Sequence, residues 1–415
     1  MAKEQFRLAS RMAKLGTETA FEVLGEVKAL EAEGKHIVSF CIGEPDFDTP
    51  ANIRKKAVEA IDSGDTHYTG PQGKIPLRDS ISRHMKKTRG LDYSRDDIVV
   101  TPGGKLVIFS TIMALAGEGD EVIYPNPGYP IYESAIDFAG AKGIPLPYLE
   151  ERRFVFELET LKGLITDRTR LIVINSPQNP TGGYVPREDL EELARICVEK
   201  DIMVLSDEIY SRLLYEGEFT SIATFPGMKE RTIILDGFSK TYAMCGWRLG
   251  WAACPPGFAY WVTRMNTNTV SCAPSFVQTA GIEALDGPQD DIDSMVAEFK
   301  TRRDLIVGLL NDIEGVSCHS PKGAFYVFPN VTKAVKDLGF ADAKELQEYL
   351  LYQGNVAVLH RENFGRKNTG EDQEYLRLSY ATSQDNIRKG LAMIKAALED
   401  KEKIASFLKA KGAKE

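Results

Sequence analysis

A serine, a lysine and an arginine lie close together just after one apolar strand. The segment IILDGFSKTYAMCGWRLGW (233–251) begins as a buried strand, breaks at a glycine, and then carries Ser239, Lys240 and, eight residues later, Arg248. A lysine amine can form a Schiff base with an aldehyde, and a planar guanidinium can hold a phosphate. A surface lysine and a structural arginine would give the same spacing, so the choice depends on the rest of the chain.

Polar and aromatic residues stand where several predicted strands end. The predicted strands are 98–101, 121–124, 171–175, 202–205 and 233–235. They are continuous apolar runs, which is typical of a largely parallel sheet covered by helices on both faces. Ligands bind outside the carboxyl ends of such strands, and this predicts a ligand site at one edge of the sheet. The residues at those ends are Gly103, Gly104, Lys105, Tyr129, Asn179, Asp207, Tyr210, Ser239 and Lys240.

These side chains suit one kind of molecule. The glycines before Lys105 leave free backbone N–H groups at a helix start, and such groups bind phosphate. Asp207 ends a buried strand, where a carboxylate needs a cationic partner such as a protonated pyridine nitrogen. Tyr210 and Asn179 can bond a phenolic oxygen, and Tyr129 can stack on an aromatic ring. Each residue alone also fits a structural role, but together they predict a pocket for a phosphorylated pyridine aldehyde, with the lysine as its covalent anchor.

Composition argues against several classes of protein. The chain has 415 residues, an apolar fraction of 43% and a formal net charge of −9. The acidic balance argues against nucleic acid as a partner, and no apolar run is long enough to span a membrane. The first 15 residues are polar and lack the apolar core of a signal peptide, so we expect a cytoplasmic protein. Six scattered cysteines without a CxxC pair predict reduced thiols, with neither a metal site nor disulfides.

The pattern of helices and strands changes along the chain and predicts three segments. Residues 1–48 carry a helix (17–34) and a short strand (37–41), and we assign them to a smaller domain. Residues 49–287 alternate strand and helix and form the large domain that binds the ligand. Residues 288–415 combine a long amphipathic helix with half-buried strands, which predicts the rest of the smaller α+β domain. The expected fold class is therefore α/β.

Six motifs occur together in the order of one enzyme family. They are GEPDFDTP (43–50), HYTGPQG (67–73), NSPQNPTG (175–182), SDEIY (206–210), SKTYAMCGWRLG (239–250) and LRLSYA (376–381). With this combination the chain resembles the aspartate aminotransferase family, the fold-type I class of pyridoxal-phosphate enzymes. The resemblance covers nearly the whole chain. It implies a large domain with a mostly parallel sheet covered by helices, a smaller α+β domain, and pyridoxal 5′-phosphate as the cofactor.

The resemblance implies a role for each residue around the cofactor ring. Lys240 matches the Schiff-base lysine, which also carries the proton to and from the substrate α-carbon. Asp207 matches the partner of the pyridinium nitrogen. Tyr210 and Asn179 match the residues that bond the ring oxygen, and Tyr129 matches the stacking aromatic. Lys240, Asp207 and Tyr210 are therefore the expected catalytic residues.

The resemblance also implies how the phosphate is held. The expected phosphate ligands are Gly103, Gly104, the backbone N–H of Lys105, Ser239 and Arg248. Tyr68 matches a tyrosine that reaches the phosphate from the other subunit, which implies a homodimer with shared active sites. One position departs from the family, because many relatives carry serine three residues before the lysine and this chain carries Gly237. One phosphate donor is therefore missing.

A site for the substrate follows from the same resemblance. Arg377 matches the arginine that holds the α-carboxylate of an amino acid through two parallel hydrogen bonds. Gly43 and Asn179 are expected beside that carboxylate. As a hypothesis, Lys105 pairs with the distal carboxylate of an acidic substrate, which would favour aspartate or glutamate. An exposed lysine at the helix start is the alternative.

The expected reaction is transamination in a ping-pong cycle. An L-amino acid gives up its amine and leaves as a 2-oxo acid, and a second 2-oxo acid such as 2-oxoglutarate takes the amine. A β-lyase, decarboxylase or synthase on the same scaffold is the alternative. A cofactor-bearing regulator fused to a DNA-binding module is disfavoured by the acidic balance and by the roughly 40 residues before GEPDF. No GxGxxG follows the first strand, which argues against a nucleotide-binding Rossmann protein.

Overall fold

Strands and helices alternate through most of the chain. This computed structural model describes residues 6–412. The strands are β1 (Val38–Ser39), β2 (Ile98–Thr101), β3 (Glu121–Asn126), β4 (Lys142–Pro147), β5 (Thr169–Asn175), β6 (Met203–Asp207), β7 (Thr232–Gly237), β8 (Gly250–Ala253), β9 (Tyr326–Val327), β10 (Val356–Ala357), β11 (Leu359–His360) and β12 (Leu376–Ser379). The α-helices are α1 (Thr19–Ala32), α2 (Ala51–Asp62), α3 (Ile75–Arg89), α4 (Gly104–Leu115), α5 (Ile131–Ala139), α6 (Leu158–Leu164), α7 (Arg187–Lys200), α8 (Ala259–Thr269), α9 (Ser275–Asp286), α10 (Asp290–Asn311), α11 (Thr332–Leu338), α12 (Ala343–Tyr352), α13 (Gln384–Glu399) and α14 (Lys401–Gly412).

Strands β2 to β8 form one central sheet, in the order β2-β8-β7-β6-β5-β3-β4. Neighbours from β7 to β4 pair in parallel, whereas β8 runs antiparallel to both β2 and β7. The predicted mostly parallel sheet is therefore confirmed. The register aligns the strand ends, since Asn175 lies opposite Asp207 and Asp207 lies opposite Leu235. The carboxyl ends of β2, β5, β6 and β7 consequently meet at one edge.

Apolar side chains on both faces hold this sheet in the core. All residues of β2, β3, β7 and β8 are buried. Val99 packs in one cluster with Ile112 of α4, while its neighbour Val100 packs in another with Ile81 of α3. Adjacent strand residues point to opposite faces, so helices on both sides require an apolar residue at every position. This explains the continuous apolar runs in the sequence.

A second group of strands packs with the C-terminal helices. β1 pairs in parallel with β10, and β11, β12 and β9 form an antiparallel sheet. Their shared core includes Phe40, Phe299 and Tyr380. β1 of the first segment thus pairs with β10 of the last, and the division into domains after residues 48 and 287 stays a prediction. Residues 1–5 and 413–415 of that prediction lie outside the described residues.

Two strands of the central sheet, β4 and β8, have no clear signal in the sequence. β4 reads KGIPLP and lies at the edge of the sheet, where proline is tolerated because one side of the strand needs no partner. β8 reads GWAA and is too short and too rich in small residues to stand out. Neither strand changes the fold class.

Within residues 6–412, no helix is long and apolar enough to cross a membrane, and no group of three His, Cys, Asp or Glu side chains is arranged to hold a metal. The six cysteines are all free.

Candidate active site

A cavity of about 550 Å³ opens at the edge where the parallel strands end. It is lined by residues of the central sheet, of the α1 start and of the smaller strand group. The predicted site residues that line it are Gly43, Gly104, Lys105, Tyr129, Asn179, Asp207, Tyr210, Ser239, Lys240, Arg248 and Arg377. Gly103 directly precedes this lining at the start of α4. The structure thus brings the predicted residues together, with the exception of Tyr68.

Lys240 reaches the cavity from the turn after β7. Its Nζ donates a hydrogen bond to the carbonyl of Gly43 at 2.5 Å and lies 3.7 Å from Sγ of Cys245. It also lies 5.7 Å from the centre of the Phe325 ring. Among the described residues no carboxylate forms an ion pair with this ammonium group. The amine therefore faces the cavity without a competing anion, as a covalent anchor requires.

Asp207 lies at the end of β6 on the floor of the cavity. Its Oδ2 accepts a hydrogen bond from the hydroxyl of Tyr132 at 2.6 Å, and its Oδ1 accepts one from the backbone N–H of Ile209 at 3.2 Å. Burial raises the pKa of this carboxyl to about 6, although both hydrogen bonds favour the ionised form. No side-chain cation of residues 6–412 pairs with it. A buried carboxylate in this state fits a cationic ligand.

Tyr210 and Asn179 stand beside this carboxylate. The hydroxyl of Tyr210 lies 2.8 Å from that of Tyr326, and burial raises the Tyr210 pKa well above its usual value. The backbone N–H of Asn179 donates to Oδ1 of Asn175 at 2.9 Å. The buried side-chain oxygen of Asn179 has no hydrogen-bond partner among the described residues. Both side chains can therefore bond a polar ring substituent.

The start of α4 and the Arg248 side chain form a place for an anion. Gly103, with φ of 89°, precedes the helix, and no side chain caps the first N–H groups. The guanidinium of Arg248 packs so close that a Cβ at Gly103 would lie 2.4 Å from Nη2. The buried Ser239 lines the cavity beside them. Free N–H groups, a guanidinium and a hydroxyl at one helix start match the needs of a phosphate.

Packing explains the glycine that replaces the family's serine at position 237. A Cβ on Gly237 would lie 3.0 Å from Cα of Gly250 and 3.2 Å from the carbonyl oxygen of Leu249. Both atoms belong to the backbone that leads into β8, and they cannot move aside as the tip of a flexible side chain does. A serine therefore fits here only if β8 shifts.

Arg377 lies fully buried on the opposite wall of the cavity. Its Nη2 donates to the carbonyl of Cys41, and its Nε has no partner in the described structure. The guanidinium carbon lies 4.7 Å from the centre of the Tyr326 ring and 5.0 Å from that of Phe364. Burial lowers the pKa of this arginine. An arginine held between two rings with a free donor fits a carboxylate ligand.

The side chains of Lys105 and Tyr129 both contact Glu18, a residue that the sequence did not predict for the site. The Lys105 ammonium forms an ion pair with Oε1 of Glu18, and the Tyr129 hydroxyl donates to the same oxygen at 2.8 Å. The distal carboxylate of an acidic substrate would therefore meet a lysine that already has an anion. Whether Lys105 holds such a substrate stays a prediction.

Tyr68 lies outside the cavity. Its side chain is 90% exposed on the loop between α2 and α3. A single chain therefore does not bring it to the site, and its role through a second subunit stays a prediction.

The sequence did not predict every polar residue of the site. Those that it missed include Glu18, Tyr132, Asn175 and Tyr326. Asn175 belongs to the NSPQNPTG motif, and Tyr132 follows Tyr129 by one helical turn, so both carried a usable signal. Glu18 and Tyr326 carried none, because their hydrogen-bond partners Tyr129 and Tyr210 lie more than a hundred positions away along the chain.

Arg89 joins the two chain segments that carry Asp207 and Lys240. Its Nε donates to Glu208 at 2.6 Å, and its Nη2 donates to Asp236 at 2.5 Å. All three side chains are buried. One arginine thus compensates two buried carboxylates and ties the end of α3 to the end of β7 and to the residue that follows β6.

Truncating Arg89 to alanine leaves two buried carboxylates without a cation. We expect the free energy of unfolding to fall by about 3–5 kcal/mol. Arg83→Ala is the matched control, because Arg83 lies on the same helix and pairs with Asp286 at the surface, where the loss should stay below about 1 kcal/mol. Denaturant unfolding of the two variants measures the difference, and equal losses would contradict this account of the network.

Known proteins with a related sequence or structure identify the family. The chain matches the model described as "Aminotransferase class I and II" over residues 35–394. It is 38% identical over 397 residues to a probable aspartate/prephenate aminotransferase of Aquifex aeolicus, covering 95% of this chain and 99% of that one. It is 37% identical to aromatic-amino-acid aminotransferase 2 of Thermococcus litoralis, covering 88% and 92% of the two chains.

The fold leads to the same family. The structure resembles the aspartate aminotransferase of Rhizobium meliloti with a TM-score of 0.89 at 33% identity, over 95% of this chain and 99% of that one. The chain therefore belongs to the aminotransferase class I and II family and is an aminotransferase of fold type I.

Proposed function

We propose that this aminotransferase uses pyridoxal 5′-phosphate, held covalently by Lys240, to move the amino group of an L-amino acid to a 2-oxo acid. One observation carries the proposal. The Lys240 amine, the buried Asp207 carboxylate and the buried Arg377 guanidinium face the same cavity at the ends of the strands. These are an anchor for an aldehyde, a partner for a ring cation and a ligand for a carboxylate.

The residues present fit the cofactor at both of its ends. Asp207 offers the protonated ring nitrogen a buried carboxylate that pairs with no other cation of the described residues. The start of α4, with Ser239 and Arg248, offers donors to the phosphate. Between these ends, Tyr210 and Asn179 can bond the ring oxygen.

Each residue then has a defined task in the transfer. The cofactor, when bound, supplies an electron sink for the charge left on the substrate α-carbon after its proton is removed. The amine of Lys240 accepts that proton and later returns it. Asp207 keeps the ring nitrogen protonated, which strengthens the electron sink. Arg377 and the backbone of Gly43 hold the α-carboxylate so that the α-hydrogen faces the lysine.

We also propose a cytoplasmic homodimer with shared sites. Tyr68 lies outside the cavity of its own chain and is largely exposed, and this is what supports a role in the site of a second copy. The names of the relatives include aspartate, prephenate and aromatic amino acids as substrates, so acidic and aromatic donors are both candidates.

Replacing Arg377 with glutamine tests the carboxylate site. Two charge-assisted hydrogen bonds to the substrate are lost, so we expect KM for every amino donor to rise at least about 100-fold. The measurement is amino transfer to 2-oxoglutarate by protein loaded with pyridoxal phosphate. Arg388→Gln, which removes an exposed arginine of α13, is the control. A KM that stays within about threefold of the wild-type value would contradict the assignment.

A further inference from the structure

One carboxylate at the cavity wall has no task in the transfer itself. Glu18 directly precedes α1 as its N-cap residue, yet its side chain makes no capping hydrogen bond. It turns instead to the ammonium of Lys105 and the hydroxyl of Tyr129. The Glu18 side chain is 18% exposed and that of Lys105 is 44% exposed, so the pair lies at the edge of the cavity and not in open solvent.

Hydrogen bonds on both sides of Glu18 hold it in this place. The backbone N–H of Gly16 donates to the hydroxyl of Ser134 at 2.9 Å. The amide of Asn363 donates to the hydroxyl of Thr19 at 2.7 Å. The chain around Glu18 is therefore attached to α5 on one side and to the loop after β11 on the other. Its carboxylate is a built part of the cavity wall.

Among the cations that line the cavity, Lys105 is the one whose side chain could bind a second carboxylate of the substrate. Four side-chain cations line the cavity within the described residues: Lys105, Lys240, Arg248 and Arg377. The last three have tasks with the cofactor or the α-carboxylate. Glu18 already compensates Lys105, so the second carboxylate of an acidic amino acid would have to lie beside Glu18 or displace it. Like charges placed side by side disfavour binding.

Apolar groups surround the same place. Phe21, on the first turn of α1, is 59% exposed and lines the cavity, and its ring centre lies 5.8 Å from Nζ of Lys105. Ile108, three residues after Lys105 in α4, also lines the cavity. An uncharged side chain gains from covering such groups.

We propose that Glu18 is a specificity-determining residue: by compensating Lys105 it directs the donor site to amino acids with uncharged apolar or aromatic side chains, at the expense of aspartate and glutamate. This rests on the proposed function, because it concerns the donor of the same transfer.

The test compares two donors in wild-type protein and in Glu18→Gln, both loaded with pyridoxal phosphate. The absorbance change of the bound cofactor after mixing with aspartate or with phenylalanine gives kcat/KM for each donor half-reaction. Glu18→Gln removes a charge of the same sign as the second carboxylate of aspartate. We therefore expect its kcat/KM for aspartate to rise at least about tenfold over wild type, and its kcat/KM for phenylalanine to stay within about threefold. Glu22→Gln, an exposed glutamate in the first turn of α1, makes the same change of charge and should leave the ratio unaltered.

A second variant separates the proposed charge effect from a general loosening of the wall. The double variant Glu18→Gln/Lys105→Met also lacks the ammonium group that would bind the second carboxylate of an acidic donor. The increase in kcat/KM for aspartate should therefore be lost. An unchanged or lower aspartate-to-phenylalanine ratio in Glu18→Gln would overturn the inference. If the ratio did not rise but both proteins still reacted with phenylalanine, the proposed function would stand and only the role of Glu18 would be wrong. A wild-type protein that no amino acid converts would instead overturn the proposed function itself.

Discussion

The Lys240→Ala variant should lose amino transfer by at least about 10⁴-fold, because it removes both the anchor of the cofactor and the base that moves the proton. The amine of Lys240 lies inside the cavity and contacts the Gly43 carbonyl, so no other lysine of the cavity wall can take its place without moving. Product formation from an amino donor and 2-oxoglutarate, with pyridoxal phosphate in excess, measures the loss.

Two controls accompany this variant. Lys300→Ala removes an exposed lysine of α10 and should keep full activity. Circular dichroism should show the same helix and strand content in both variants, because Lys240 forms no ion pair with the described residues. If Lys240→Ala kept activity within about tenfold of the wild-type value, the assignment of the anchor would be wrong.

Asp207→Asn should lower kcat by about 10²–10³-fold or more, because an amide cannot stabilise a protonated ring nitrogen as a carboxylate does. Lys240 remains in place, so the variant should still bind the cofactor. The effect is therefore expected in kcat and not in the amount of cofactor bound. Asp372→Asn, at an exposed position, is the control and should behave as wild type. Full activity of Asp207→Asn would contradict the proposed role.

The same variant has a second readout in protein free of cofactor. Burial raises the pKa of Asp207 from 3.8 to about 6, so folding favours its protonated form. Its contribution to stability is complete below about pH 4 and is lost as the pH rises to about 6, a loss of about 3 kcal/mol. The free energy of unfolding should therefore change more between pH 4.5 and pH 7 in the wild type than in Asp207→Asn. Equal pH dependence in the two proteins would contradict this.

The sheet and its ligand edge could be predicted because the relevant signals are local. A strand buried on both faces reads as an apolar run, and polar residues mark its end, as Ser206 and Asp207 do after Leu205. The order of the strands and the antiparallel β8 could not be predicted, because four small or aromatic residues resemble many other stretches. The long amphipathic helix predicted for the last segment is α10 (Asp290–Asn311), which could be predicted because its apolar face repeats along the helix.

The parts of the site that depend on distant contacts could not be predicted. Glu18 looks like any polar residue before a helix, and only the fold brings it to Lys105. Tyr326 looks like a core aromatic of a short strand, and only the fold brings its hydroxyl to Tyr210 and its ring to Arg377. Gly43 is a related case. A Cβ at this position would lie 2.0 Å from the Tyr326 hydroxyl oxygen, so a residue far along the chain requires glycine here.

The most direct test of the account is the absorbance spectrum of the purified protein with pyridoxal phosphate, recorded before and after single amino acids are added. The wild type should show a band of bound cofactor, a shift of that band with a good amino donor, and its return with 2-oxoglutarate. Lys240→Ala should lack the wild-type band. A protein that binds no cofactor, or identical spectra for wild type and Lys240→Ala, would contradict the central claim that Lys240 holds pyridoxal phosphate for amino transfer.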